Sequence, residues 1–164
     1  MRIGVVSDTH DDEGNAKKIA RIFKNEKIED IFHLGDYVAP PMLRVFKDFR
    51  LTGIFGNNDG YKYGLMQAFS EIGAKILGDF GTVSLEGLKI ALYHGEFREI
   101  SEALVKCGEY DVVFCGHFHK SEITSFGNTL LLSPGSAHSY FKKDSSPTFG
   151  IFDTSGKKFE IISI

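Results

Sequence analysis

Three consecutive units of strand, loop and helix fill the first half of this 164-residue chain. Residues 2–7, RIGVVS, are β-branched and continuous enough to form a strand buried on both faces. Ala16, Ile19, Ala20 and Phe23 then recur on a single helical stripe. Residues 30–34, DIFHL, predict a second strand, and Pro40 and Pro41 open a helical stretch running to Phe49, because proline suits a first turn. A third strand, Leu51 to Phe55, precedes a helix from about Tyr63 to Ile72. Parallel strands need crossovers of this kind, so the pattern predicts a parallel sheet with helical connections.

The second half changes character. Residues 82–85 and 89–93 predict a hairpin turning at Glu86 and Gly87. Ile100, Ala103, Leu104 and Cys107 return to helical spacing, and VVFC at 112–115 reads as a strand. EITSF and TLLLS are joined by Gly127 and Asn128, a two-residue hairpin turn, and TFGIFD and KFEIISI make a last pair around TSGK. This half therefore reads as mostly antiparallel. No low-complexity stretch, charge run or repeat of about 20–50 residues separates the halves. The expectation is one domain over residues 1–164, of α/β class, with two sheets facing each other and helices outside.

Composition narrows the function classes. Hydrophobic residues make up 42% and charged residues 25%, ordinary for a folded globular chain. A net charge of -3 argues against a main role in coating nucleic acid or anionic membrane. The apolar run of MRIGVVSDTH is too short for a signal peptide, and no stretch approaches about 18 apolar residues, so a cytoplasmic location without membrane contact is expected. Cys107 and Cys115 lack C-x-x-C spacing and sit in apolar surroundings, and read as reduced core residues.

The stretch VVFCGHFHK at 112–120 raises the question of chemistry. In an extended segment, side chains two apart point the same way from Cα atoms roughly 6–7 Å apart. His117 and His119 can then face one target. Taken alone, such a pair is better explained by exposure or by bonding to backbone carbonyls, so the other strand ends decide. Ligands in open α/β sheets bind beyond the carboxyl ends of strands. Asp8 and His10 follow the first strand, Asp36 the second, Asn57 the third, His94 follows KIALY, and His117 and His119 follow VVFC. Any one has a plain role as a cap or turn residue. Seven such groups at five strand ends do not.

The set is too large for one tetrahedral zinc and lacks thiolates. Carboxylate, imidazole and amide oxygen suit manganese, iron, nickel, cobalt or zinc, and two ions sharing a carboxylate fit the count.

The ordered blocks D-x-H (Asp8, His10), GD (Asp36), GN (Asn57), HG (His94) and G-H-x-H (His117, His119) resemble the calcineurin-like metallophosphoesterases, especially the small prokaryotic phosphodiesterase branch. The resemblance spans nearly the whole chain. It implies a four-layer α-β-β-α sandwich of two mixed sheets flanked by helices. It also implies that Asp8, His10 and His119 hold one divalent ion, that Asn57, His94 and His117 hold another, and that Asp36 bridges them, with manganese the first expectation. A hydroxide between two such ions can attack phosphorus in line.

One block departs from the family pattern. Many members follow the metal-binding asparagine with a histidine resembling a general acid, whereas this chain has Asn58 and then Asp59. An amide is a poor proton donor at neutral pH, so Asp59 or solvent is left to supply the proton, and good leaving groups should react fastest. Asn58 and Asp59 are accordingly the candidate catalytic positions. Arg98 and Lys120 lie near the ligand blocks and read as solvated charges; His33 reads as a core histidine, His138 follows SPGS near the site, and Thr9 and Tyr37 flank ligands without an assigned role.

The resulting expectation is a phosphodiesterase acting on a small diester. The alternatives are a protein-binding scaffold of similar fold, as in a retromer subunit, a monoesterase, or a nuclease, the last disfavoured by the acidic balance. A homodimer is expected from family habit alone.

Overall fold

Strand alternation decides the layering of the structure, a computed structural model that describes residues 1–140 and 146–164. In β1 (Arg2–Val6), Ile3 and Val5 enter one buried cluster and Val6 another, as the two-residue period requires. The same division recurs in β2 (Asp30–His33), where Ile31 and Phe32 part company. It recurs again in β6 (Leu88–Tyr93), where Ile90 and Leu92 separate from Ala91 and Tyr93. In order along the chain, the remaining strands are β3 (Arg50–Gly53), β4 (Lys75–Ile76), β5 (Phe80–Leu85), β7 (Val112–Phe114), β8 (Ser121–Phe126), β9 (Thr129–Pro134), β10 (Thr148–Asp153) and β11 (Lys158–Ser163).

Two mixed sheets result, with strand orders β11-β10-β1-β2-β3-β4 and β5-β6-β7-β9-β8. Ile3, Val5 and Phe32 of the first sheet share a cluster with Ile90, Val112 and Phe114 of the second, so the sheets pack face to face. The helices α1 (Glu13–Asn25) and α2 (Lys62–Glu71) and the 3-10 segment Pro40–Phe46 cover the outer face of the first sheet. A third helix, α3 (Arg98–Lys106), covers the second through Val105 against Ala91, Val113 and Cys115. This is the expected α-β-β-α sandwich.

Local rules explain the crossovers. Asp12 caps α1 by accepting the Asn15 backbone N–H at 3.0 Å, and the stripe of Ala16, Ile19, Ala20 and Phe23 is buried as its spacing requires. Phe23 lies over Gly4, where a Cβ would come within 2.6 Å of its ring.

Several boundaries differ from the sequence expectation. The stretch after Pro40 is 3-10 and ends at Phe46, although Phe49 is still buried. The third strand stops at Gly53, and Ile54 and Phe55 are buried without strand pairing. The two-residue strand β4 carries too little pattern to read from sequence. The second half is less antiparallel than expected, because β7 runs parallel to both β6 and β9. Cys107 is exposed at the end of α3, a correction to its reading as a core residue, whereas Cys115 is buried as expected.

Candidate metal centre

The parallel registers explain how distant blocks meet. β1, β2 and β3 run parallel to one another, as do β6 and β7, so each group sends its carboxyl ends one way. Asp8 and His10 follow β1, Asp36 follows β2, Asn57 follows β3, His94 follows β6, and His117 and His119 follow β7.

All seven side chains are linked through short contacts. His119 Nε2 lies 3.0 Å and His10 Nε2 3.7 Å from Asp8 Oδ1. Asp36 Oδ2 lies 3.3 Å from His10 Nε2 and 3.4 Å from His94 Nε2. On the far side of Asp36, Asn57 Oδ1 is 3.1 Å from His94 Nε2 and 2.8 Å from His117 Nδ1. One atom from each of Asp8, His10, Asp36 and His119 falls within 4.8 Å of the others. Asp36 thus lies between two ligand groups.

Three observations fit divalent cations. Asp8 Oδ1 and His10 Nε2 are buried yet make no hydrogen bond despite their close neighbours, a state that buried polar atoms rarely tolerate. His94 Nδ1 donates to Leu34 O at 2.6 Å, the outer bond typical of metal-binding histidines. In the neutral ring this turns the Nε2 lone pair toward Asp36 and Asn57. The donors are carboxylate, imidazole and amide oxygen, with no thiolate.

Electrostatics point the same way. Burial by itself would lower the pKa of His10, but the carboxylates of Asp36 and Asp8 overcome it and raise the value to about 9. His94 is likewise raised to about 9 against the effect of burial, chiefly by Asp36 with help from Asp8. Asp8 and Asp36 are held well below the usual carboxylate range because their histidine neighbours outweigh burial. The site demands positive charge, which protons or metal ions can supply.

The backbone here is strained. Asp8, His10, Asp36, His117 and His119 have φ of 55°, 41°, 60°, 67° and 54°, in the left-handed region. Such residues persist only where their surroundings over-determine them, and they cluster at functional sites. Here the surroundings are backbone bonds from Asp8 N to Gly35 O and from His10 N to Asp36 O, both 3.0 Å. The extended geometry expected of H-x-H is therefore corrected. His117 and His119 lie in a left-handed loop and serve different groups, one with Asn57 and the other with Asp8. Two glycines allow the crowding: a Cβ on Gly56 would strike the Asp36 carboxylate, and one on Gly116 would overlap Ser7 Oγ.

The two candidate catalytic residues take different positions. Asn58 binds Asp36 from both backbone and side chain. Asp59 is buried, and its oxygens accept the backbone N–H groups of Asp36, Val38 and Gly56 at 2.8, 2.9 and 2.7 Å. Its carboxylate ties two ligand loops together.

Three residues gain roles that sequence did not supply. His33 is a core histidine as expected, with burial driving its pKa down to about 3. Its Nδ1 accepts the Gly35 N–H, its Nε2 meets Thr9 Oγ1 at 3.1 Å, and Tyr37 donates to its carbonyl. Thr9 and Tyr37 thus brace the ligand loops. His138 is fully buried; its Nε2 is 3.3 Å from His119 Nδ1 and its ring centroid 4.5 Å from that of His10. With His10 and His119 it forms a second group able to hold an ion. The only sequence signal was a histidine after the SPGS loop.

Comparison with known proteins agrees with this geometry. The profile of the calcineurin-like phosphoesterase superfamily domain matches residues 1–157, and the chain belongs to that superfamily. It is 34% identical to the phosphodiesterase MJ0936 of Methanocaldococcus jannaschii over 99% of this chain and 98% of that one. A solved structure of an archaeal phosphodiesterase superposes with a TM-score of 0.93 at 33% identity, covering both chains fully. Vps29 of Chaetomium thermophilum shares the fold, with a TM-score of 0.72 at 17% identity over 100% of this chain and 94% of that one. No helix among the described residues is long and apolar enough to cross a membrane.

Proposed function

We propose that this chain is a metal-dependent phosphodiesterase that hydrolyses small phosphodiesters with two divalent ions. The observation that carries the reading is Asp36 Oδ2, within 3.4 Å of a histidine from each ligand group. Asp8, His10 and His119 hold one ion, Asn57, His94 and His117 the other, and Asp36 is shared. Manganese is the first candidate, with nickel, iron, cobalt and zinc compatible with the same donors. When bound, two such ions polarise the phosphoryl oxygens and make water a competent nucleophile near neutral pH.

The chain's own residues orient and brace. Asn58 holds the Asp36 carboxylate, Asp59 ties the loops after β2 and β3 together, and His138 backs His119. With Asn58 and Asp59 so engaged, neither is free to protonate the leaving oxygen, so solvent supplies that proton. The relation to a named phosphodiesterase at 34% identity supports diesters as the substrate class.

Metal analysis combined with turnover of bis(4-nitrophenyl) phosphate tests the reading. Bound ions and manganese-stimulated release of nitrophenolate are expected, both lost in Asp36→Asn. A chain that binds no divalent ion and turns over no diester is instead a scaffold of the same fold.

A further inference from the structure

Asp8 divides its two carboxylate oxygens between two tasks. Oδ1 is buried without a hydrogen bond and faces His119 Nε2 at 3.0 Å and His10 Nε2 at 3.7 Å. Oδ2 instead accepts the Ser7 hydroxyl at 2.5 Å and the His117 backbone N–H at 3.1 Å. Ser7 directly follows β1 and is fully buried, as Asp8 is. Its carbonyl accepts the Ala137 N–H at 3.0 Å, so its backbone is held as well as its side chain. A hydroxyl donating to an ionised carboxylate makes one of the shorter and stronger hydrogen bonds, and burial strengthens it further. The glycine of the G-H-x-H block serves the same contact. A Cβ at Gly116 would collide with Ser7 Oγ and lie 2.9 Å from Asp8 Oδ2. The loop after β7 thus closes over Ser7 and Asp8 and brings the His117 N–H to the same oxygen.

We propose that Ser7 is a positioning residue of the metal centre, its hydroxyl fixing the Asp8 carboxylate so that Oδ1 is presented to the ion held with His10 and His119. The inference rests on the two-ion reading and adds to it a residue outside the seven ligands. An aspartate carboxylate turns readily about its last bond. Two donors from separate chain segments on one oxygen remove that freedom, and the other oxygen is left aimed at the ligand histidines. The same oxygen ties the first ligand group to the backbone of the second through His117. Ser136 provides a contrast within the same surroundings. It is also fully buried, but its hydroxyl reaches the Asp8 backbone carbonyl, at 3.4 Å, rather than the carboxylate.

The test compares the parent chain with Ser7→Ala and Ser136→Ala, each of which deletes one buried hydroxyl and introduces no larger group. Manganese affinity is measured by calorimetry, the cobalt-loaded protein by its visible spectrum, and the metal-free fold by urea unfolding. Ser7→Ala is expected to bind manganese about tenfold more weakly, as loss of an outer partner of a ligand does, and to shift the cobalt spectrum. Ser136→Ala is expected to keep the affinity and spectrum of the parent, whatever its effect in urea. Unchanged affinity and spectrum in Ser7→Ala overturn the positioning role and leave the two-ion reading intact. Equal losses in the two variants overturn it as well, because packing alone then accounts for the effect. A parent chain that binds no manganese removes the two-ion reading and the role of Ser7 with it.

Discussion

Asn58 grips both oxygens of Asp36: its backbone N–H reaches Oδ1 at 2.8 Å and its side-chain Nδ2 reaches Oδ2 at 2.8 Å. Under the proposed two-ion function, a shared carboxylate must present its lone pairs in fixed directions, and these two bonds provide the constraint. Asn58→Ala keeps the backbone bond and loses the other. Its affinity for manganese is expected to fall about tenfold, whereas Asp36→Asn loses binding altogether. Titration calorimetry of both variants checks the order; equal affinities for Asn58→Ala and the parent chain would refute the orienting role.

The same grip has a kinetic consequence. With the Asn58 amide on Asp36 and the Asp59 carboxylate on three backbone amides, no acid among them meets the departing oxygen. Rates across a series of diesters should therefore fall steeply as the leaving-group pKa rises. Asn58→His, which installs the frequent family residue, is expected to flatten that dependence. A flat profile in the parent chain would show that another group donates the proton.

His138 Nδ1 accepts the Tyr140 backbone N–H at 3.1 Å, so its Nε2 donates to His119 Nδ1 at 3.3 Å, and its ring lies buried against His10. Outer partners of this type commonly govern metal affinity by about 10- to 100-fold. His138→Ala is expected to weaken cobalt binding within that range, with an altered visible spectrum, while His138→Asn recovers part of the loss. Binding and spectrum identical to the parent would reduce His138 to packing.

Protons compete with metal for His10 and His94, whose pKa values rise to about 9 beside Asp36 and Asp8. Both folded values exceed the unfolded reference of about 6.5. The stabilisation of metal-free protein by these protonated histidines is therefore complete below about pH 6.5 and lost as pH rises through 9. Metal binding must displace those protons, so apparent affinity is expected to climb with pH until it levels off near pH 9, with proton release. With saturating metal, which keeps the ligands deprotonated, activity is expected to fall only below about pH 6. Denaturant melts of metal-free protein and calorimetry in buffers of different ionisation enthalpy test both signs.

Asp59 satisfies three buried backbone donors. Removing the acceptor leaves them without partners, at about 1–3 kcal/mol for each unsatisfied group. Asp59→Ala is expected to lose at least about 2 kcal/mol of unfolding free energy in urea. A loss near zero would mean that water replaces the carboxylate.

The helical stripe of α1, the Gly127–Asn128 hairpin and the seven ligand types were legible in sequence because each depends on local periodicity, turn chemistry or donor identity. The order of blocks also exposed the family. The pairings were not legible: β7 became parallel to both neighbours through contacts with strands far away in the chain, and β4 was too short to carry a pattern. Tertiary structure alone decided that Asp59 braces loops and that His138 backs His119. These roles arise where separate loops meet in left-handed conformations that no local rule anticipates. Residue chemistry lies along the chain, whereas direction and distance between side chains come only from packing the two sheets together.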